Sequence, residues 1–351
     1  MSWEENVRKV VPYVPGEQPK VSGLIKLNTN ENPYPPAPKV QEYLNNMDAD
    51  IFRKYPDPLC QKLVSALAKT YNVDESQVFT GIGSDDVLAM CFLTFFNSSK
   101  EILFPDITYS FYDVWANLFR IPYRQVPLND DFIINADDYL AENGGIVIAN
   151  PNAPTGVELE IGEIEKIVKA NPDSVVIIDE AYVDFGGTSA LPLIDKYDNV
   201  LVVQTFSKSR SMAGIRIGYV FGSKKLIGYL NNVKFAFNSY TMNSVTLELG
   251  AIVLEDAEYT KECCEKVIAT REWFKKELVK LGFTFGDSKT NFVFAKHGTM
   301  QRDEIFKKLR ERNILVRAFN NARIKDYLRI SIGTDEEMRT VVNELKAVLN
   351  E

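Results

Sequence analysis
A lysine, an arginine and two polar clusters carry most of the chemistry available to this sequence. Lys208 sits in Thr205-Phe-Ser207-Lys208, and Arg216 follows eight residues later in Ala213-Gly-Ile-Arg216. A lysine amine partly deprotonated by burial and nearby cations can form a Schiff base with a carbonyl compound. An arginine beside a hydroxyl such as Ser207 and backbone donors makes a cup for a phosphate. Asp179 opens Asp179-Glu-Ala-Tyr182, and a carboxylate buried there would keep a ring nitrogen protonated. A third cluster, Asn150-Pro-Asn152-Ala153-Pro-Thr-Gly156, adds amide groups. Any one of these is ordinary loop composition. Their shared position is not, because each directly follows an apolar run, at 146–149, 175–178 and 201–204. In an open α/β sheet that edge is where ligands bind.

Those runs belong to a longer alternation. Strands are predicted at 77–80, 101–104, 145–149, 174–178, 200–204 and 217–221, with helical periodicity at 59–71, 84–96, 110–119 and 161–169. Alternating strand and helix predicts an α/β fold whose mostly parallel sheet is covered on both faces. From about Thr246 the pattern changes. One long amphipathic helix is expected over 245–281, stopped by Gly282. Short strands at 292–295, 314–317 and 328–331 follow, with a helix at 302–312 and another behind the capping box Thr334-Asp-Glu-Glu337. Three parts result: an N-terminal arm (1–35), a large domain (36–245) and a small α+β domain (246–351). The arm is rich in Pro and Asn and should be extended. Val10, Val11, Tyr13, Val14, Leu24, Ile25 and Leu27 are its expected apolar anchors.

Composition removes other chemistries. The 351 residues hold 40 Lys+Arg against 48 Asp+Glu, a net charge of −8, which disfavours a nucleic-acid partner. A single histidine, His297, excludes Ser-His-Asp triads and multi-histidine metal centres. Cys60, Cys91, Cys263 and Cys264 form no metal-binding spacing, so no metal is expected. Gly81-Ile-Gly83 would open a dinucleotide fingerprint, but the third glycine is replaced by Asp86. The start, Met-Ser-Trp-Glu-Glu, carries no signal-peptide core, and no run approaches the roughly 20 apolar residues of a membrane span. A cytoplasmic enzyme with no membrane partner is the expectation.

The three clusters together resemble the fold-type I pyridoxal-phosphate aminotransferases. Pro12-Tyr13-Val-Pro-Gly16, Lys26-Leu-Asn-Thr-Asn30-Glu-Asn-Pro33, Arg53-Lys-Tyr55-Pro-Asp57 and Leu328-Arg329-Ile-Ser-Ile-Gly333 narrow the resemblance to the histidinol-phosphate aminotransferases. The resemblance implies pyridoxal 5'-phosphate as cofactor, with Lys208 as Schiff-base lysine and proton shuttle. It pairs Asp179 with the pyridine nitrogen and Tyr182 with the ring hydroxyl, and it stacks Tyr109 on the ring. Arg216, Ser207, Thr205 and the backbone at Ser84-Asp85 would take the phosphate, and Tyr55 would reach it from the other subunit of a homodimer. Arg317 and Arg329 would grip the anionic end of the substrate, beside Asn30, with Tyr13 closing over it. One position departs from the pattern: many relatives carry a second Asn where this chain has Ala153. Either Asn152 or Asn150 substitutes for it, or Tyr182 acts alone. The implied reaction exchanges an amino group between histidinol phosphate and 2-oxoglutarate, yielding glutamate. A broad aromatic aminotransferase and a threonine-phosphate decarboxylase are the neighbouring alternatives.

Overall fold
The structure is a computed structural model that describes residues 2–350. In chain order the first half comprises β1 (Ile25–Lys26), α1 (Pro38–Asn45), α2 (Gln61–Tyr71), β2 (Val78–Gly81), α3 (Gly83–Phe95), β3 (Ile102–Pro105), α4 (Tyr112–Phe119), β4 (Tyr123–Val126), β5 (Gly145–Ala149) and α5 (Ile161–Ala170). Then come β6 (Val176–Asp179), β7 (Val200–Thr205), β8 (Gly218–Gly222), α6 (Lys224–Phe237), α7 (Ser244–Leu254) and α8 (Ala257–Lys280). The chain finishes with β9 (Phe283–Phe285), β10 (Phe292–His297), α9 (Arg302–Glu311), β11 (Ile314–Leu315), β12 (Arg317–Ala318), β13 (Leu328–Ser331) and α10 (Asp335–Leu349).

Seven strands form the main sheet in the order β2-β8-β7-β6-β5-β3-β4. Only β8 runs against its neighbours, as the expected mostly parallel sheet allows. The central strands β5, β6 and β7 are buried along their whole length, so they read as unbroken apolar runs instead of alternating ones. Their register sets Ala149 beside Asp179 and Asp179 beside Val203, which lines up three strand ends and the loops after them. The order reverses between β5 and β3, and that reversal opens a crevice. Edge strand β4 was not expected: Arg124 and Gln125 face solvent and hide its pattern.

A second, antiparallel sheet (β12-β13-β10-β9) is built from the C-terminal third, and β1 pairs parallel with β11. The predicted strand at 314–317 thus divides between two sheets, β11 turning to β1 and β12 to β13. The long helix expected over 245–281 is two helices. Leu247, Leu249, Val253 and Leu254 of α7 join the apolar core under the main sheet, whereas Val267, Phe274 and Leu278 of α8 join the core of the C-terminal sheet. The packing therefore changes at Glu255–Asp256, not at 246. The capping box forms as predicted: Glu337 N–H donates to Thr334 Oγ1 (3.2 Å) and Thr334 N–H to Glu337 Oε2 (2.8 Å).

The arm docks through only some of its apolar residues. Val10, Val11 and Val14 remain exposed. Of the expected anchors, Leu27 is buried in the C-terminal core with Ile25 packed against it, and Tyr13 stacks on Phe111 (4.2 Å between ring centroids); Arg8 donating to the Leu118 carbonyl and Arg317 donating to the Val14 carbonyl (3.1 Å) complete the attachment. No helix among the described residues is long and apolar enough to cross a membrane.

Candidate active site
At the carboxyl edge of the main sheet, Ser84, Asp85, Tyr109, Asp179, Tyr182, Ser207, Lys208 and Arg216 line one cavity of about 140 Å³. Strand ends and short connections set their positions. Asp179 is the last residue of β6, and Lys208 lies three residues beyond β7. Its backbone is pinned from the arm: Asn32 Nδ2 donates to the carbonyls of Lys208 (3.0 Å) and Ser209 (3.2 Å). The Lys208 amine donates to the Thr29 carbonyl at 3.3 Å and stands 5.6 Å from the Tyr182 ring centroid.

Asp179 is 5% exposed and accepts from Tyr112 Oη (2.8 Å) and the Ala181 N–H (3.2 Å). It has no ion-pair partner among the described residues, so burial pushes its pKa up to about 6 although both hydrogen bonds pull the other way. A protonated ring nitrogen in the cavity would supply the missing positive charge. Tyr109 donates to Asp85 Oδ1 (2.7 Å), and burial with that carboxylate holds its phenol well above the usual tyrosine range.

The anion cup sits where α3 begins. Gly83 has φ +82°, and a Cβ there would lie 2.3 Å from Arg216 Nη2; a Cβ on Gly218 would lie 2.2 Å from the Gly83 carbonyl carbon. Only glycines let the strand, the helix start and the guanidinium come this close. Arg216 donates to Asp85 Oδ2 (3.2 Å) and Ser207 Oγ (3.4 Å), next to the free N–H groups of the first helical turn. A buried carboxylate lacking a cation, together with a guanidinium, a hydroxyl and a helix start, fits a phosphorylated pyridine.

A wider cavity of about 430 Å³ adjoins the first and shares Tyr109, Ala153, Tyr182 and Lys208 with it. Tyr13, Asn30, Arg317 and Arg329, to which the resemblance gives substrate roles, line it. Arg329 is half-buried and donates to the Asn28 carbonyl (3.1 Å), while its Nε is buried and has no partner among the described residues. Burial draws its pKa below the usual guanidinium value. An anion entering here would satisfy that nitrogen.

Four expected residues, Asn150, Asn152, Thr205 and Tyr55, do not line either cavity. The Asn152 side chain ties loops together: it accepts from Thr108 Oγ1 (2.8 Å) and donates to the Ile107 carbonyl (2.8 Å) and Thr155 Oγ1 (3.0 Å). Asn150 is likewise spent on Leu159, at 3.1 Å and 2.7 Å. Thr205 lies behind the cup and props Ser207, accepting its N–H at 3.1 Å. Tyr55 is 83% exposed and packs on Tyr240 with centroids 4.8 Å apart. Neither Asn150 nor Asn152 is free to replace the amide missing at Ala153, and Tyr182 is held from the arm, with Asn30 Nδ2 donating to Tyr182 Oη at 2.9 Å. Sequence reasoning missed Tyr112, Asn32 and Asp113. The first two bear on Asp179 and Lys208, and Asp113 lines the wider cavity.

Comparison with known proteins adds independent findings. The family profile "Aminotransferase class I and II" matches residues 22–345. The chain is 53% identical over 349 residues to a histidinol-phosphate aminotransferase of Lactococcus lactis subsp. cremoris (strain MG1363), covering 99% of this chain and 98% of that one. It is 50% identical over 348 residues to a histidinol-phosphate aminotransferase of Clostridium botulinum (strain Okra / Type B1), with the same coverage of 99% and 98%. In fold it is similar to the crystal structure of histidinol-phosphate aminotransferase from Sinorhizobium meliloti in complex with pyridoxal-5'-phosphate. That match has a TM-score of 0.85 and 24% identity over 93% of this chain and 91% of the other.

Proposed function
The chain belongs to the class I and II aminotransferases, and from that membership we propose that it transfers an amino group between L-histidinol phosphate and 2-oxoglutarate, with pyridoxal 5'-phosphate as cofactor, in histidine biosynthesis. The observation that carries the reading is the convergence of Lys208, Asp179 and Arg216 on one cavity, opening beside a second that holds two arginines. Bound in the first cavity, the cofactor supplies an electron sink for the bond to the amino-bearing carbon.

The residues around it have separable tasks. Asp179 would keep the pyridine nitrogen protonated, with Tyr112 orienting its carboxylate. Tyr182, held by Asn30, would serve the ring hydroxyl. Arg216, Ser207 and the backbone at Ser84-Asp85 would take the phosphate, with Thr205 positioning Ser207. Lys208 is the covalent anchor and afterwards the amine that moves the proton at the substrate carbon. Arg317 and Arg329 receive the phosphate of one substrate and the carboxylates of the other, since guanidinium forks suit both. The arm, carrying Tyr13, excludes water above them.

We read the chain as a homodimer in which Tyr55 reaches the partner's cofactor phosphate. Its exposure together with that of Phe52, Leu59 and Phe237 supports this. Four buried free thiols support a reducing cytoplasmic setting. The division into arm, large and small parts is kept, with the second boundary placed at Glu255–Asp256. A coupled assay with histidinol phosphate and 2-oxoglutarate tests the reading. Glutamate should form with the parent chain and not with Lys208→Ala; turnover by that variant would overturn the role of the lysine.

A further inference from the structure
The start of α4 also lines the wider cavity that holds Arg317 of β12 and Arg329 of β13, contributing Ser110 just before the helix, then Asp113, Val114 and Asn117. Asp113 lines this cavity and also an adjoining one of about 200 Å³, so it stands at the seam between them. It is only half-buried, but no cation pairs with it among the described residues. No side chain among the described residues donates to its carboxylate, and the nearby backbone N–H groups of Val114 and Asp113 only partly offset its burial. Burial raises its pKa, as it does for any carboxylate without a compensating charge. The cavity's own cations do not serve it: Arg317 and Arg329 are held by the Val14 and Asn28 carbonyls, and Lys208 by the Thr29 carbonyl. Beside Asp113, Tyr13 stacks on Phe111 at 4.2 Å and gives the same wall a flat aromatic flank.

We propose that Asp113 is a specificity-determining residue that accepts a hydrogen bond from the ring N–H of the imidazole substrate. The assignment rests on the functional reading above. A substrate with a phosphate at one end and an N–H-bearing ring at the other matches a cavity with guanidinium groups and an unpaired carboxylate. A carboxylate in partial burial gains most from a donor that arrives with the ligand, because an unmet acceptor there costs free energy. Glutamate, the other amino donor, has no ring and brings a second carboxylate, which Asp113 would repel. The residue thus separates the two substrates that share the site.

The test compares the histidinol-phosphate and glutamate half-reactions in the cofactor-loaded parent, Asp113→Ala and Asp113→Asn. In Asp113→Ala the KM for histidinol phosphate should rise about tenfold or more, the typical worth of a hydrogen bond to a charged group, and kcat/KM relative to glutamate should fall with it. Asp113→Asn keeps an acceptor and should recover part of the loss. An unchanged KM for histidinol phosphate, or an equal rise for both donors, overturns the assignment alone. A parent chain that accepts glutamate and refuses histidinol phosphate overturns the functional reading and the assignment together.

Discussion

At the scale of single residues, two consecutive buried carboxylates decide how the cofactor-free chain responds to pH. Burial raises Asp179 from 3.8 to about 6 and Glu180 from 4.5 to about 7. A folded chain that holds these protons more tightly than the unfolded one loses stability as pH rises from about 4 to about 7. Asp179→Asn should therefore stabilise the cofactor-free chain at pH 8, by up to about 3 kcal/mol, and do nothing near pH 3. Urea denaturation at the two pH values checks it; a stability gain that is the same at both would refute the linkage. Once the pyridine nitrogen is present the sign reverses, because the ionised carboxylate then has its partner, and Asp179→Asn should cut kcat by at least about a hundredfold. Asp179 and Lys208 were legible in the sequence because each stands just after an apolar run that reads as a buried strand, and Arg216 because it follows Lys208 by eight residues at the start of another such run. Tyr112 and Asp113 were not, since they sit within an amphipathic helix where a tyrosine and an aspartate look like core and surface. Asn152 misled for a related reason: the motif places the residue in the loop but does not aim its side chain, which the Ile107–Thr108 segment captures.

Among elements, the loop carrying Lys208 is braced from behind by a polar chain. Arg210 donates to Asp184 Oδ2 (3.2 Å) and Tyr71 Oη (2.9 Å), and Ser209 Oγ also donates to Asp184. Tyr71 meets Tyr219 at 2.6 Å, Tyr219 donates to Gln204 (3.0 Å), and Gln204 donates to Glu180 (2.8 Å). The network ties the residue after Lys208 to the residue after Asp179, so both reactive groups are held by one set of bonds. Arg210→Met leaves Asp184 without its cation and should lower the melting temperature by several degrees; adding Asp184→Asn should restore part of that loss. Additive losses in the double variant would show that the pair is not coupled. None of this was visible in sequence, since Arg210 and Tyr71 lie far apart in the chain. The break between α7 and α8 was equally hidden. Neither Gly nor Pro marks it, and the helical periodicity runs straight through Asp256, where the backbone leaves the helical region.

For the whole molecule, the proposed homodimer would cover the exposed aromatics around Tyr55 and the exposed valines of the arm. Burying them against a second copy predicts a sedimenting species of twice the 39.8 kDa chain mass, with no monomer at micromolar concentration. Tyr55→Ala should leave a dimer that holds the cofactor roughly tenfold more weakly, as loss of one hydrogen bond to a phosphate implies. The central claim is that Lys208, Asp179 and Arg216 hold pyridoxal phosphate as the amino carrier for histidinol phosphate. Its most direct test is the visible absorption spectrum of the purified protein before and after adding histidinol phosphate, with 2-oxoglutarate withheld. A yellow absorption band should be present, disappear on adding the donor and return when 2-oxoglutarate follows. A protein that stays colourless after incubation with pyridoxal phosphate, or a band untouched by histidinol phosphate, would contradict it.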